Sequence, residues 1–214
     1  VEEVGAFFRS GALIMNLTTK LEAVNVMLSV IGEAAINSLS SGLQDAETAE
    51  MILENISRSV QSSGWSFNEE LGYPLSPDSN GHLNLPANCI RADLSLSESK
   101  YRNSSYDYVQ RGLKLYDKIN HTYTIDEPIK VDMCVLLDFE ELPEAARRFI
   151  TIRASRVFQE RVVGSDLLSS LTADDENVAW LDLLHSESDV NDYNIFDDGG
   201  VYAPMNRSIT SKVF

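Results

Sequence analysis

The sequence predicts an α+β protein: a four-helix bundle with a β-rich module inserted between helices 2 and 3, plus an extended C-terminal arm. Three observations carry that prediction. Apolar residues recur at helical spacing up to residue 64 and again from about residue 139. Between those limits turn residues and two-residue alternation take over. Beyond about residue 185 periodicity fades and Gly199, Gly200 and Pro204 appear. The predicted organisation is therefore an N-terminal extension (1–14), a helical domain made of 15–64 and 139–185, an inserted β-rich domain (65–138) and an arm (186–214).

Val1 to Ile14 mixes Glu2, Glu3 and Arg9 with apolar residues, unlike the basic start and continuous apolar core of a secretion signal. The first methionine is Met15, so residues 1–14 are expected to be a family-specific extension or to come from an upstream non-methionine start. Leu17, Leu21, Val24, Leu28 and Ile31 then recur at four, three, four and three, which places them on one face of a first helix ended by Gly32. Gly42 and the serines around it mark a loop. The second helix is expected to begin near Asp45, a good cap, and to turn Ala49, Ile52, Leu53, Ile56 and Val60 inward until Gly64.

After Gly64, "GYPLSPDSNGHLNLP" is dense in turn formers, while Tyr106, Tyr108, Leu113, Leu115, Tyr123 and Ile125 mark alternating strands. "VDMCVLLDF" fits a last, more buried strand. Helix returns at "ELPEAARRFITIRASRVFQERVVG". Pro143 suits a first helical turn, and Glu140, Glu141 and Glu144 complement the positive end of the dipole. Ala146, Phe149, Ile150, Ala154, Val157 and Phe158 form its apolar face, and Gly164 ends it. A fourth helix is expected from Asp166 through Leu167, Leu171, Val178, Leu181 and Leu184.

The seam "QSSGWSFNEE" joins the second helix to the β region. Gly64 stops the helix, and Trp65 and Phe67, two apart in an extended strand, would point to the same side. We take Gly64, Trp65 and Phe67 as a structural hinge. A core-facing pair that fastens the β module to the helices is preferred over an exposed partner anchor.

At 214 residues, 43% hydrophobic and 23% charged, the chain can bury one substantial core or two small ones. Its longest apolar runs, such as Met133 to Leu137, are far short of the roughly 20 residues of a membrane helix. Cys89 and Cys134 are too few for a metal motif or a disulfide framework and suit buried thiols. His82, His121 and His185 are scattered, with no pair at ligand spacing. No nucleophile elbow, phosphate-cradling loop or cofactor signature is present. Asp174 to Glu176 are consecutive helical residues, which diverge and suit a solvated face better than an ion.

The net charge of −16 argues against a nucleic-acid clamp, which draws affinity from Lys and Arg. From Asp166 to Asp198 there are ten carboxylates and no Lys or Arg. That segment is either a solvated face with an acidic tail or a wall that repels an anion. The strongest basic concentration lies on the third helix, at Arg147, Arg148, Arg153, Arg156 and Arg161. These are candidate subunit-interface residues, and pairing with the acidic fourth helix of the same chain is an equally good use for them.

Four blocks, "LEAVNVMLSVIGE" (21–33), "AEMILENISRSVQSSGWSFN" (49–68), "YVQRGLKLYD" (108–117) and "ELPEAARRFITIRASRVFQERVVG" (141–164), resemble in order the tail tubular protein A family of short-tailed bacteriophages. Gly64-Trp65-x-Phe67-Asn68, Leu142-Pro143-Glu144 and Ala154-Ser155-Arg156-x-Phe158 carry the likeness best, over roughly residues 15–185. The resemblance implies a virion structural protein, assembled in the bacterial host cytoplasm, that forms an adaptor ring, commonly a dodecamer. It implies a place below the portal protein and above the nozzle of tail tubular protein B, with tail fibre protein attached near the junction. Double-stranded DNA would pass through the lumen without specific binding. It implies neither catalysis nor a cofactor. Two other expectations compete: a tail-associated hydrolase acting on envelope glycan or peptidoglycan through a carboxylate pair, and a packaging accessory that binds DNA through Arg153 and Arg156.

Overall fold

A computed structural model of the chain describes residues 17–95, 106–164 and 166–190, with the backbone alone for 166–172 and 190. The N-terminal extension and the chain beyond residue 190 lie outside the described residues, including the part of the expected arm from residue 191.

Helix α1 spans Lys20–Val30 and begins with a capping box: Thr19 Oγ1 accepts from the Glu22 N–H, and the Thr19 N–H donates to the Glu22 carboxylate at 2.8 Å. It ends in a Schellman turn. Gly32 adopts φ +81°, the Glu33 N–H reaches Leu28 O and the Gly32 N–H reaches Ser29 O, each at 3.1 Å. Its buried face is Ala23, Val24, Met27 and Leu28. Leu17, expected on that face, precedes the helix and is exposed, because the Thr19 cap starts the helix after it.

Helix α2 spans Gln44–Gln61. The N-cap position is Leu43, which offers no side-chain acceptor, and Asp45 sits in the first turn, where its charge faces the positive helix end, instead of capping it. The loop before α2 is pinned by Asn25, whose side chain accepts from the Ile36 N–H and donates to its carbonyl at 2.8 and 3.0 Å.

The strands are β1 (Glu69–Leu75), β2 (Cys89–Leu94), β3 (Tyr108–Arg111), β4 (Lys114–Asp117) and β5 (Ile129–Val135). Order β1-β5-β2 makes one antiparallel sheet, and β3-β4 makes a hairpin. Strand β5 is the expected buried strand and runs down the centre of its sheet. Gly112 supplies the positive φ (+63°) at the first central position of the hairpin turn. The edge strand β1 carries a bulge between Glu70 and Tyr73 and a proline at 74, features that blunt further pairing.

A single 3₁₀ turn, Phe139–Glu141, leads into α3 (Glu144–Val162), and α4 follows (Asp166–Val190). Pro143 stands just before α3 rather than in its first turn. Helix α3 packs against α1, α2 and α4, and α1 packs against α2. Helix α4 continues to Val190, five residues past the expected boundary. Its inward face also differs from expectation: Ala179 and Leu183 are buried, whereas Val178, Leu181 and Leu184 are exposed.

The described residues thus form an α+β fold, with four helices and small antiparallel sheets. Buried apolar residues form two clusters, one from the helices with Trp65, Phe139 and Leu142, the other from the strands and their loops. Leu137 packs against both.

Candidate functional site

Polar and aromatic contacts concentrate in two places, the seam between the clusters and the face where α3 meets α4. At the seam the chain leaves α2 through Gly64, which adopts φ +79°. A Cβ there would sit 2.5 Å from Glu69 Oε1 and 3.0 Å from Arg91 Nη2, whose ion pair (3.2 Å) lies over the glycine. Trp65 to Asn68 is a turn and not the expected extended strand: the Asn68 and Glu69 N–H groups both donate to Trp65 O, at 2.9 and 3.0 Å. The turn forms because Asn68 Oδ1 accepts from the Trp65 N–H at 2.8 Å, a local side-chain bond that competes with strand geometry. Trp65 and Phe67 nevertheless share a side, their rings stacked at 6.2 Å and 3°.

Trp65 is only 6% exposed and its indole N–H donates to Val60 O at 2.8 Å. Its ring meets Trp180 of α4 edge-on at 5.6 Å, and Trp180 lies 5.1 Å from Phe149 of α3. The turn is also held from outside. Glu187 of α4 accepts from the Ser66 N–H (2.7 Å) and hydroxyl (2.9 Å).

Beneath the aromatics lies a buried polar knot. Gln61 donates to Leu137 O at 3.0 Å and accepts from the Leu137 N–H at 2.8 Å, replacing a strand partner for that residue. Asn68 donates to Gln61 O and Val135 O, each at 3.0 Å. The Cys134 thiol donates to Gln61 O at 3.2 Å. Such a network is stable only when its members are satisfied together, so it fixes one relation between α2 and β5. Both cysteines are buried, as expected, and burial pushes both thiols above their ordinary pKa.

The α3–α4 face sorts the arginines. Arg147 is 4% exposed. It donates to the carbonyls of Leu142 (2.7 Å), Thr18 (2.8 Å) and Glu140, tying the start of α3 to the residues before α1. Its expected place in a subunit interface is therefore corrected: a guanidinium consumed by three carbonyls of its own chain faces inward. Arg148 pairs with Asp182 at 3.2 Å, while Arg153 (3.4 Å) and Arg156 (2.9 Å) converge on Glu176, whose side chain is 15% exposed. Arg156 also reaches Glu160 at 3.2 Å, and the Glu176 bond leads the effects that raise its pKa. Arg161 is exposed. Glu176 is thus not on the solvated face expected of Asp174 to Glu176, although Asp174 and Asp175 are exposed.

Glu176, Trp180, Leu183 and Glu187, at spacings of four, three and four, form the edge of α4 that meets α3 and the seam, with Leu183 buried and Trp180 at the rim, 37% exposed. Sequence reasoning missed Trp180, Glu187 and Gln61, and singled out Asn68 only as part of a family motif, without its role in the turn. For α4 the available signal was that i, i+4, i+7, i+11 spacing, hidden because two of its four members are acidic.

The remaining candidates have local partners. His82 lies 3.0 Å from Lys114 Nζ and 6.4 Å from the Tyr123 ring centre. His121 occupies a turn at φ +54°, and His185 is exposed, 3.3 Å from Asp189. Among the described residues there is no group of three or more His, Cys, Asp or Glu that could hold a metal ion. Among them, too, no helix is long and apolar enough to cross a membrane.

The family model for tail tubular protein matches residues 21–193. The tail tubular protein A of Klebsiella phage KP34 is 29% identical over 131 residues, covering 61% of this chain. The match spans 66% of that relative, just under two thirds of its length. The chain belongs to the tail tubular protein family, structural proteins of the phage tail and not enzymes.

Proposed function

We propose that the protein is the adaptor between head and tail: copies assemble as a closed ring, taken as a dodecamer, that joins the portal protein to the nozzle of tail tubular protein B. Tail fibre protein attaches near that junction, and double-stranded DNA passes through the lumen during ejection. In this reading α1 to α4 act as one bundle that builds the ring. The strands form an inserted module, and the Gly64, Trp65 and Phe67 turn is the fixed joint between the two. Arg148, Arg153 and Arg156 then serve the ring by holding α4 on α3, and Arg161 stays available at the subunit boundary.

The observation that carries the reading is the outer strip of α4. Val178, Leu181 and Leu184 are exposed on a helix whose other side is already packed, Leu181 at 62%. A helix with a second, outward apolar strip calls for a protein partner. The acidity of the chain agrees with a channel that DNA slides past, since carboxylates repel the phosphate backbone. Native mass spectrometry and electron microscopy of the full chain, alone and mixed with portal protein, test this. A closed ring seated on the portal is expected. A chain that stays monomeric and ignores the portal would overturn the proposal.

A further inference from the structure

The outward face of the β3–β4 hairpin is cationic and aromatic in an otherwise acidic chain. Register pairs Arg111 with Lys114 and Val109 with Tyr116, so these four side chains share one face. Leu115, on the opposite face, is buried among the strand residues. The Arg111 guanidinium lies 3.6 Å from the centre of the Tyr116 ring, and Tyr116 meets Tyr123 at 4.9 Å. Leu113 stands exposed at the hairpin turn and Tyr123 is partly exposed beside it.

The exposed strip of α4 is complementary. It is apolar along Val178, Leu181 and Leu184, and Asp174 and Asp175 are exposed near its start. Residues 166–190 contain no Lys or Arg at all. Other surfaces of the chain fit this strip less well. The α3 arginines at 148, 153 and 156 already face carboxylates of their own chain. The exposed Val26 and Met51 sit on helices that also carry Glu22, Glu47, Glu50 and Glu54. The hairpin combines the exposed Leu113 and Tyr123 with Arg111 on its outer face and with the half-buried Lys114, whose ammonium also contacts His82.

We propose that the strip on α4 is covered by the hairpin of a second copy of this chain. Leu113, Tyr116 and Tyr123 pack on Val178, Leu181 and Leu184, and Arg111 and Lys114 approach Asp174 and Asp175. The two surfaces differ, so each copy retains one of each, and repetition of a single contact closes a ring when its rotation permits. This assignment rests on the ring reading and names the faces that build it.

Charge exchange in the full chain tests it. Arg111→Asp with Lys114→Asp, and separately Asp174→Lys with Asp175→Lys, are each expected to weaken self-association at least about tenfold while leaving the melting temperature unchanged. All four substitutions in one chain restore assembly. Independently, a Leu113→Cys copy mixed with a Leu181→Cys copy gives a dimer cross-linked by a short bismaleimide, Cys89 and Cys134 being buried. If the wild-type chain assembles but neither charge variant weakens it, or if exchange fails to rescue and the mixed copies do not cross-link, the assignment is overturned and the ring reading stands. If the wild-type chain is monomeric with and without portal protein, the ring reading falls and this contact falls with it.

Discussion

The two concentrations of positive charge, on α3 and on the β3–β4 hairpin, are put to opposite uses. On α3 the guanidinium of Arg147 is buried under three carbonyls, and Arg148, Arg153 and Arg156 reach across to the carboxylates of α4. On the hairpin Arg111 lies over an aromatic ring on the outer face, beside Lys114. The denser cluster is therefore the one spent on folding, and the sparser one faces outward. A run of arginines in sequence says where charge is; the opposing element decides whether any of it is left for a partner.

Substitutions on the inward side sharpen that contrast most. Trp65→Ala removes the ring that joins Phe67 to Trp180 and is expected to cost about 4 kcal/mol, read as a lower urea midpoint with unchanged slope. Arg147→Ala leaves the carbonyls of Leu142, Thr18 and Glu140 without their donor and should cost about 3 kcal/mol in the same assay. Arg147→Lys should recover little, because an ammonium cannot reproduce the planar fork. Glu176→Gln breaks the meeting point of Arg153 and Arg156 at a partly exposed site, for about 1 kcal/mol that shrinks in high salt.

On the outward side, Arg111→Asp should change stability by no more than about 0.5 kcal/mol, so a large loss of melting temperature there would break the contrast. The smallest effect belongs to the turn that supports the hairpin. The Asp78 carboxyl is lowered from 3.8 to about 2, first by the His82 N–H, then by the Asn84 side chain and the Asn80 N–H. A folded-state pKa below the unfolded one means that this contribution is present above about pH 4 and lost as pH falls toward 2. Carboxyl-detected NMR titration of Asp78 should show its midpoint near that lower value, and Asn84→Ala should raise it.

The sequence made the helices legible because their signals are local. Gly32, Gly64 and Gly164 stop helices at positive φ as their positions suggest, whereas of the residues expected to alternate in strands only Tyr108 and Leu115 lie in one, Leu113 forming the hairpin turn and Tyr106, Tyr123 and Ile125 lying outside the strands. What stayed hidden depends on partners distant in sequence. The inward edge of α4 mixes Glu176 and Glu187 with Trp180 and Leu183, so hydrophobic periodicity selected Val178, Leu181 and Leu184 instead. Gln61 and Asn68 read as ordinary polar residues until β5 supplies the groups they bond. Asn68 bonding back to Trp65 makes a turn where an extended strand was expected, and Trp65 and Phe67 share a side for that reason and not through strand alternation.

The division of labour between the two cationic regions is tested most directly by one paired measurement: melting temperature and assembly state, by sedimentation velocity, of Arg153→Ala with Arg156→Ala beside Arg111→Ala with Lys114→Ala. The α3 pair is expected to melt earlier yet still assemble, and the hairpin pair to melt like the wild type yet stay unassembled. The reverse result, with assembly lost on α3 and stability lost on the hairpin, would contradict it.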